Sequence, residues 1–184
     1  MMIKALRQKK CRICGEMYNP ISSLSKVCSM SCALDDVEKS KEKKFREETV
    51  KKKRDFLAKD TPFQKAKAQK SFNEYIRLRD HDKGCISCDK PNDWHGKWNA
   101  GHFKTVGARP DLRFNEDNCH KQCERCNSFL SGNVAVYRIM LVAKIGEYRV
   151  SALDVVSTKK YRCEDYIAIN EQYQKKIKEL KNKV

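Results

Sequence analysis

Two Cys-x-x-Cys pairs, Cys85/Cys88 and Cys123/Cys126, are separated by 34 residues, and they constrain this chain more than any other feature. Each pair sits on a tight knuckle that presents two thiolates to one ion. Two knuckles supply the four sulfurs that a structural zinc takes in tetrahedral geometry. The competing reading is two disulfides or unrelated buried thiols, and it suits an oxidising compartment. With paired spacing among only 10 cysteines, zinc is the reading adopted. Cys11-x2-Cys14 followed by Cys28-x3-Cys32 forms a second set, with Gly15 placed for the positive φ of a knuckle turn. A segment this short cannot bury enough apolar surface to fold without its metal. As a zinc finger it is either a structural cap or a DNA-contacting module using Lys9, Lys10, Arg12 and Lys26.

Between and just after the later knuckles stand Asn99-Ala-Gly-His102-Phe, Asn118, His120 and Asn127. Their placement resembles an HNH nuclease, a ββα-metal site. The longer string A-G-H-F, then L-R-F-N-E-D-N-C-H-K-Q-C-x-x-C-N and S-G-N, resembles the NinG (Rap) recombination proteins of lambdoid phages over most of the chain. The resemblance implies a small α+β fold: a zinc-stabilised ββα-metal (HNH, treble-clef-like) core with flanking helices, plus an N-terminal zinc finger on a charged helical spacer. It implies a metal-dependent DNA endonuclease of phage recombination, cleaving branched DNA such as Holliday junctions or D-loops. His102 would be the general base, since a neutral imidazole can take a proton from water near pH 7. Asn118 would orient the ring or its loop, and Asn127 would hold Mg²⁺ or Mn²⁺ through its amide oxygen. Many HNH sites carry an acidic metal ligand directly before the histidine, where this chain has Gly101. Asn99 and His120 are the candidates to fill the shell, and His120 is also the reserve candidate for the base. Lys104, Arg109, Arg113, Lys121 and Arg125 are the basic residues of the segment expected to meet DNA.

The formal charge of +16 is spread as +4, +3, +4 and +5 over residues 1–35, 36–60, 61–133 and 134–184. No single tail carries it, so the whole length faces a polyanion, and nucleic acid is the expected partner. A membrane partner is not expected, because neither end shows a lipidation motif. The first residues lack the apolar run of a signal peptide, and no segment is long and apolar enough to span a bilayer. A cytoplasmic location in the host cell follows as the expectation.

In chain order the reading is a finger over 1–35, a charged helical spacer over 36–70, the metal core over 71–133 and C-terminal helices over 134–184. In residues 36–60, 17 of 25 side chains are charged, with acidic residues three to five positions ahead of basic ones, which suits a solvated helix. About 22 helical residues would span roughly 33 Å. Thr61-Pro62 reads as a helix start, and Phe72, Tyr75, Ile76 and Leu78 as its apolar face. Strands are expected over 98–106 and within 112–123, with a helix opening at Cys126 or Asn127. Val136, Ile139, Met140, Ala143 and Ile145 read as one further apolar face, and Tyr166, Ile169, Tyr173, Ile177 and Leu180 as another. Both are expected to be core, with a homodimer interface as the alternative. Cys119 and Cys163 fall outside both zinc sets and read as buried single thiols. Two other functions stay open: a non-catalytic zinc-containing DNA-binding accessory protein, for which Gly101 speaks, and a redox dithiol protein.

Overall fold

A computed structural model describes residues 7–182 of the chain. The expectation of no leader rests partly on residues 1–6, which lie outside the described residues. The chain divides into two compact units, Met1–Phe56 and Leu57–Val184.

In the first unit, strands β1 (Lys9–Lys10) and β2 (Met17–Tyr18) pair antiparallel and bracket the first knuckle. Gly15 takes the expected positive φ of 80°, and its amide closes the turn on the Cys11 carbonyl at 3.0 Å. Helix α1 (Met30–Lys59) starts where Ser29 caps it, its Oγ accepting from the Cys32 amide at 3.2 Å. Cys32 is its only buried residue, so α1 is polar almost all round, as the charge pattern predicts. The spacer reading 36–70 needs correction. The helix breaks at Asp60, which caps α2 (Thr61–Arg79) by accepting from the Phe63 amide at 2.7 Å, and α2 belongs to the second unit. Thr61 is therefore the first helical residue, with the cap one position earlier.

The second unit is a small α+β assembly built on a two-stranded antiparallel sheet, β3 (Trp98–His102) with β4 (Cys119–Cys123). Strand β3 is shorter than the expected 98–106, whereas β4 lies within 112–123 as expected. The return between them consists of two 3-10 turns, Pro110–Leu112 and Glu116–Asn118. After β4 comes one π-helical turn, Arg125–Phe129, rather than a full helix. Three consecutive residues with positive φ, Ser131, Gly132 and Asn133, then break the chain before α3 (Val134–Ile145). Helices α4 (Glu147–Ala152) and α5 (Cys163–Lys181) complete the unit.

Two apolar clusters cover the sheet, because side chains alternate between faces along a strand. On one side α2 and α5 bring Ala68, Phe72, Ile76, Tyr166 and Tyr173 against Phe114, Cys119 and Ala100. Truncating the fully buried Phe72 to alanine would cost about 3–5 kcal/mol. On the other side Ile86, Phe103 and Leu112 meet Tyr137, Leu141, Val150 and Leu153 of the α3–α4 region. Here the expected α3 face is corrected: Tyr137 and Leu141 are buried, whereas Val136, Ile139 and Met140 are exposed. The α5 face holds, with Tyr166, Tyr173 and Ile177 buried and Asn170 among them bonding the Ser71 hydroxyl at 2.8 Å.

One buried carboxylate ties these layers together. Asp80, at the end of α2, accepts from Arg79 at 2.7 Å, Lys144 of α3 at 3.1 Å and the Lys121 amide of β4 at 3.2 Å. Burial favours its neutral acid, yet Arg79 and Lys144 outweigh this and hold the carboxyl down at about 2.

Candidate functional site

Both four-cysteine sets converge: within each, one sulfur per residue lies within 4.8 Å of all the others. Cys88 and Cys123 sulfurs are 3.8 Å apart, and in the first unit Cys14–Cys28 and Cys28–Cys32 stand at 3.5 and 3.6 Å. A disulfide requires about 2.05 Å, so these are thiols gathered without bonding. Tetrahedral zinc with Zn–S near 2.3 Å places its sulfurs about 3.8 Å apart. The donor chemistry fits the same ion, since the amides of Cys123 and Ser87 point at the Cys85 sulfur at 3.3 and 3.5 Å. Burial pushes the free Cys85 thiol up to about 11, a cost that a bound cation offsets. Cys119 is fully buried outside both sets, as expected, whereas Cys163 is only half-buried.

His102 occupies the last position of β3 and lies across from Cys119. Its ring sits 6.0 Å from Phe72, with Nε2 2.9 Å from the Arg113 carbonyl and Nδ1 3.7 Å from the Cys119 sulfur. A carbonyl only accepts, so Nε2 carries the proton and Nδ1 is the basic nitrogen. Burial lowers the imidazole below its ordinary value; the Arg113 carbonyl opposes this and the Arg113 charge adds to it. The ring is therefore neutral near pH 7.

His102 shares an open cavity of about 270 Å³ with Thr105, Val106, Asn127, Ser131 and Gly132. Among the described residues Asn118 makes no hydrogen bond to the imidazole. It is fully buried, and its amide group accepts from the Lys104 amide at 2.8 Å and donates to the Lys104 and Leu112 carbonyls at 3.0 and 3.3 Å. It fixes the loop that follows His102 rather than the ring.

Asn99 and His120, expected to complete a metal shell, do not line this cavity. The register pairs Asn99 with Gln122 and Gly101 with His120, so these four residues share the sheet face opposite His102. His120 is buried 3.3 Å from the Tyr137 hydroxyl, which donates to the Gly101 carbonyl at 2.9 Å. The hydroxyl has spent its proton there, so His120 donates through Nδ1. Burial first, then the charges of Lys144 and Arg79, push His120 down to about 3. It is a structural donor rather than a base for water.

Gly101 has a local cause. A Cβ there would lie 2.0 Å from Oε1 of Gln122, so no side chain fits while that amide holds its place.

The basic residues separate by what they already hold. Lys121 is buried over Trp98, its ammonium giving bonds to Asn92 Oδ1 at 2.6 Å and to the Lys83 and His81 carbonyls at 2.8 and 3.2 Å. Arg109 clamps Asp111 and the carbonyls of Leu153 and Val155. Both are committed internally, which corrects their assignment to DNA. Arg113 holds Gln69, and Lys104 pairs with Asp154 at 2.6 Å. Arg125 is exposed and makes no ion pair among the described residues. In the finger, Lys9 turns inward to the Ser23 carbonyl and Arg12 pairs with Asp36, leaving Lys10 and Lys26 exposed. Sequence reasoning missed the Arg113 carbonyl, Gln122 and the place of Cys119 beside His102; strand register reveals what Cys119 and Gln122 face, and the 3-10 return brings in the Arg113 carbonyl.

Comparison with known proteins places the chain. The sequence profile described as "Bacteriophage Lambda NinG protein" matches residues 3–183. Protein ninG of Escherichia phage lambda is 42% identical over 116 residues, which is 62% of this chain and 56% of that protein. Protein ninG of Escherichia phage 933W is 35% identical over 192 aligned residues, covering 95% of this chain and 94% of the relative. No solved structure matches. No helix of the described residues is long and apolar enough to cross a membrane.

Proposed function

We propose that this chain, which belongs to the NinG family, is a metal-dependent DNA endonuclease that cuts branched recombination intermediates in the host cytoplasm. One observation carries the reading. His102 and Asn127, 25 positions apart in sequence, line the same open cavity, and Asn127 directly follows a cysteine of a four-sulfur set that fits zinc.

Phosphodiester hydrolysis needs an acceptor for the proton of water and positive charge for the phosphate. His102 is held neutral, as a base near pH 7 must be. Its basic nitrogen faces Cys119, so taking a proton from water requires the ring to turn Nδ1 off that thiol and into the cavity. Asn127 would hold Mg²⁺ or Mn²⁺ through its amide oxygen, with Thr105 and Ser131 as neighbouring neutral oxygens. When bound, the cation neutralises charge that develops on the phosphate. Exposed Arg125, next to Cys126, would meet a neighbouring phosphate.

A second reading, a non-catalytic DNA-binding accessory protein, is favoured by one fact: no carboxylate among the described residues lines the cavity. Zinc-loaded protein incubated with labelled linear and four-way DNA, with Mg²⁺, with Mn²⁺ or with neither, separates the two. Cutting of the four-way substrate that depends on added divalent metal is the expected result. Tight binding with no cutting in either metal selects the accessory role.

A further inference from the structure

Gln122 is fully buried on β4, and its two amide atoms have opposite circumstances. Nε2 donates to Ser87 Oγ at 2.6 Å and to the Gly132 carbonyl at 2.7 Å. Because a carbonyl only accepts, the amide cannot be flipped, and Oε1 is forced toward Gly101, where it has no hydrogen-bond partner among the described residues. A buried, unpaired amide oxygen costs roughly 1–3 kcal/mol, so this orientation is held against a penalty. What holds it is the wall of the cavity. Gly132 lines that cavity with Asn127 and sits at the centre of the three positive-φ residues. Its amide bonds the Cys126 carbonyl at 2.8 Å, directly before Asn127. Ser87 lies inside the Cys85/Cys88 knuckle, and its carbonyl accepts from Asn133 at 2.5 Å. One side chain thus joins the zinc knuckle, the strand and the rim on which Asn127 depends.

We infer that Gln122 is a positioning residue for Asn127. Its amide fixes the Ser131–Gly132–Asn133 rim to the zinc knuckle, and glycine is required at 101 because that amide fills the space a side chain would need. The role rests on the reading of Asn127 as the cation holder.

The test uses full-length, zinc-loaded protein as the parent, Gln122→Met, Gly101→Ala and the double variant Gly101→Ala/Gln122→Ser. Three quantities are read by NMR and calorimetry: Tm, hydrogen exchange at the Gly132 amide, and broadening of the Asn127 side-chain amide by Mn²⁺ alone. In Gln122→Met, Gly132 should exchange about tenfold faster. Equal broadening at Asn127 should need at least ~10-fold more Mn²⁺, the scale on which supporting hydrogen bonds tune metal affinity. Gly101→Ala should show the same defects with a lower Tm, since its Cβ displaces the amide. The double variant removes the collisions with Oε1 and Cδ and keeps only the 3.0 Å approach to the Cβ of residue 122, so it should recover most of the Tm that Gly101→Ala loses while Gly132 exchange and Mn²⁺ response stay impaired. If both recover along with Tm, or if Gln122→Met behaves as the parent, the role is merely packing and the inference falls. Should Mn²⁺ leave the parental Asn127 sharp, the cation reading itself fails, which is a separate result.

Discussion

At the residue scale, His102 and His120 stand 18 positions apart in sequence, and they are separated by what surrounds them. His102 borders open space, whereas His120 is sealed against Tyr137. His102→Ala should therefore lower cutting by about 10²–10⁴ with zinc content and DNA binding kept, as measured in single-turnover assays. Asn127→Ala should be milder and partly restored by excess Mn²⁺. An undiminished rate in His102→Ala would remove this histidine from the mechanism, and His120 cannot replace it. The same burial makes His120 a stability group. Its folded pKa lies below the ordinary 6.5, so the unfolded chain binds the proton first, and stability is lost as pH falls from about 6.5 toward 3. The loss approaches about 1.4 kcal/mol per pH unit at most. Urea unfolding at pH 7 and pH 5 should show a smaller pH difference in His120→Phe than in the parent; equal differences would refute the assignment. Residue types alone cannot sort such pairs. Lys121 and Arg109 read as DNA contacts for the same reason, since charge is visible in a sequence and the carbonyls that use it up are not.

Elements tell a similar story about what was legible. The two cysteine sets were readable because a metal imposes spacing on a few positions, and the capped start of α2 was readable to within one residue. The α3 face was misread because Val136, Ile139 and Met140 have the period of a core helix. The chain instead buries Tyr137, whose hydroxyl has a partner in Gly101. The expected helix after the last knuckle is one π-helical turn, ended by three positive-φ residues held both by local turn bonds and by Gln122 and Ser87 from distant segments. A pair of five-residue strands and one such turn are too small to persist without their ion. Cys85→Ser should accordingly release one zinc and unfold the sheet that carries His102. Cys11→Ser should release the other zinc and leave that sheet intact, because the first set lies in a separate compact unit. Parental protein should hold two zinc ions per chain by metal analysis. Loss of the β3–β4 signals in Cys11→Ser would show that the units do not fold independently.

Over the whole molecule, charge is what both units have in common. Residues 1–56 hold 15 basic against 8 acidic side chains and residues 57–184 hold 25 against 16, so the units carry +7 and +9. Several of those cations are already consumed: Lys121, Arg109 and Arg79 hold protein oxygens, and Arg12 holds Asp36. What remains for phosphates is distributed, with Lys10, Lys26 and the α1 lysines in one unit and Arg125 in the other. Each phosphate neutralised releases condensed counterions, so the salt dependence reports how many phosphates are engaged without regard to sequence. If both units engage DNA with several such residues, affinity should fall by at least ~10³ between 50 and 200 mM salt. Replacing Lys10 and Lys26 by glutamine should flatten the slope of log affinity against log salt by roughly 0.9 for each phosphate left without its lysine. The rate of cutting at saturating protein should not change, because neither lysine lies near the His102 cavity in sequence or in its lining. A salt response that is flat in the parent would make the positive charge a matter of solubility and point to a partner other than nucleic acid. A steep response unchanged by the double replacement would place the phosphate-binding residues outside the N-terminal zinc site and leave that site a structural cap.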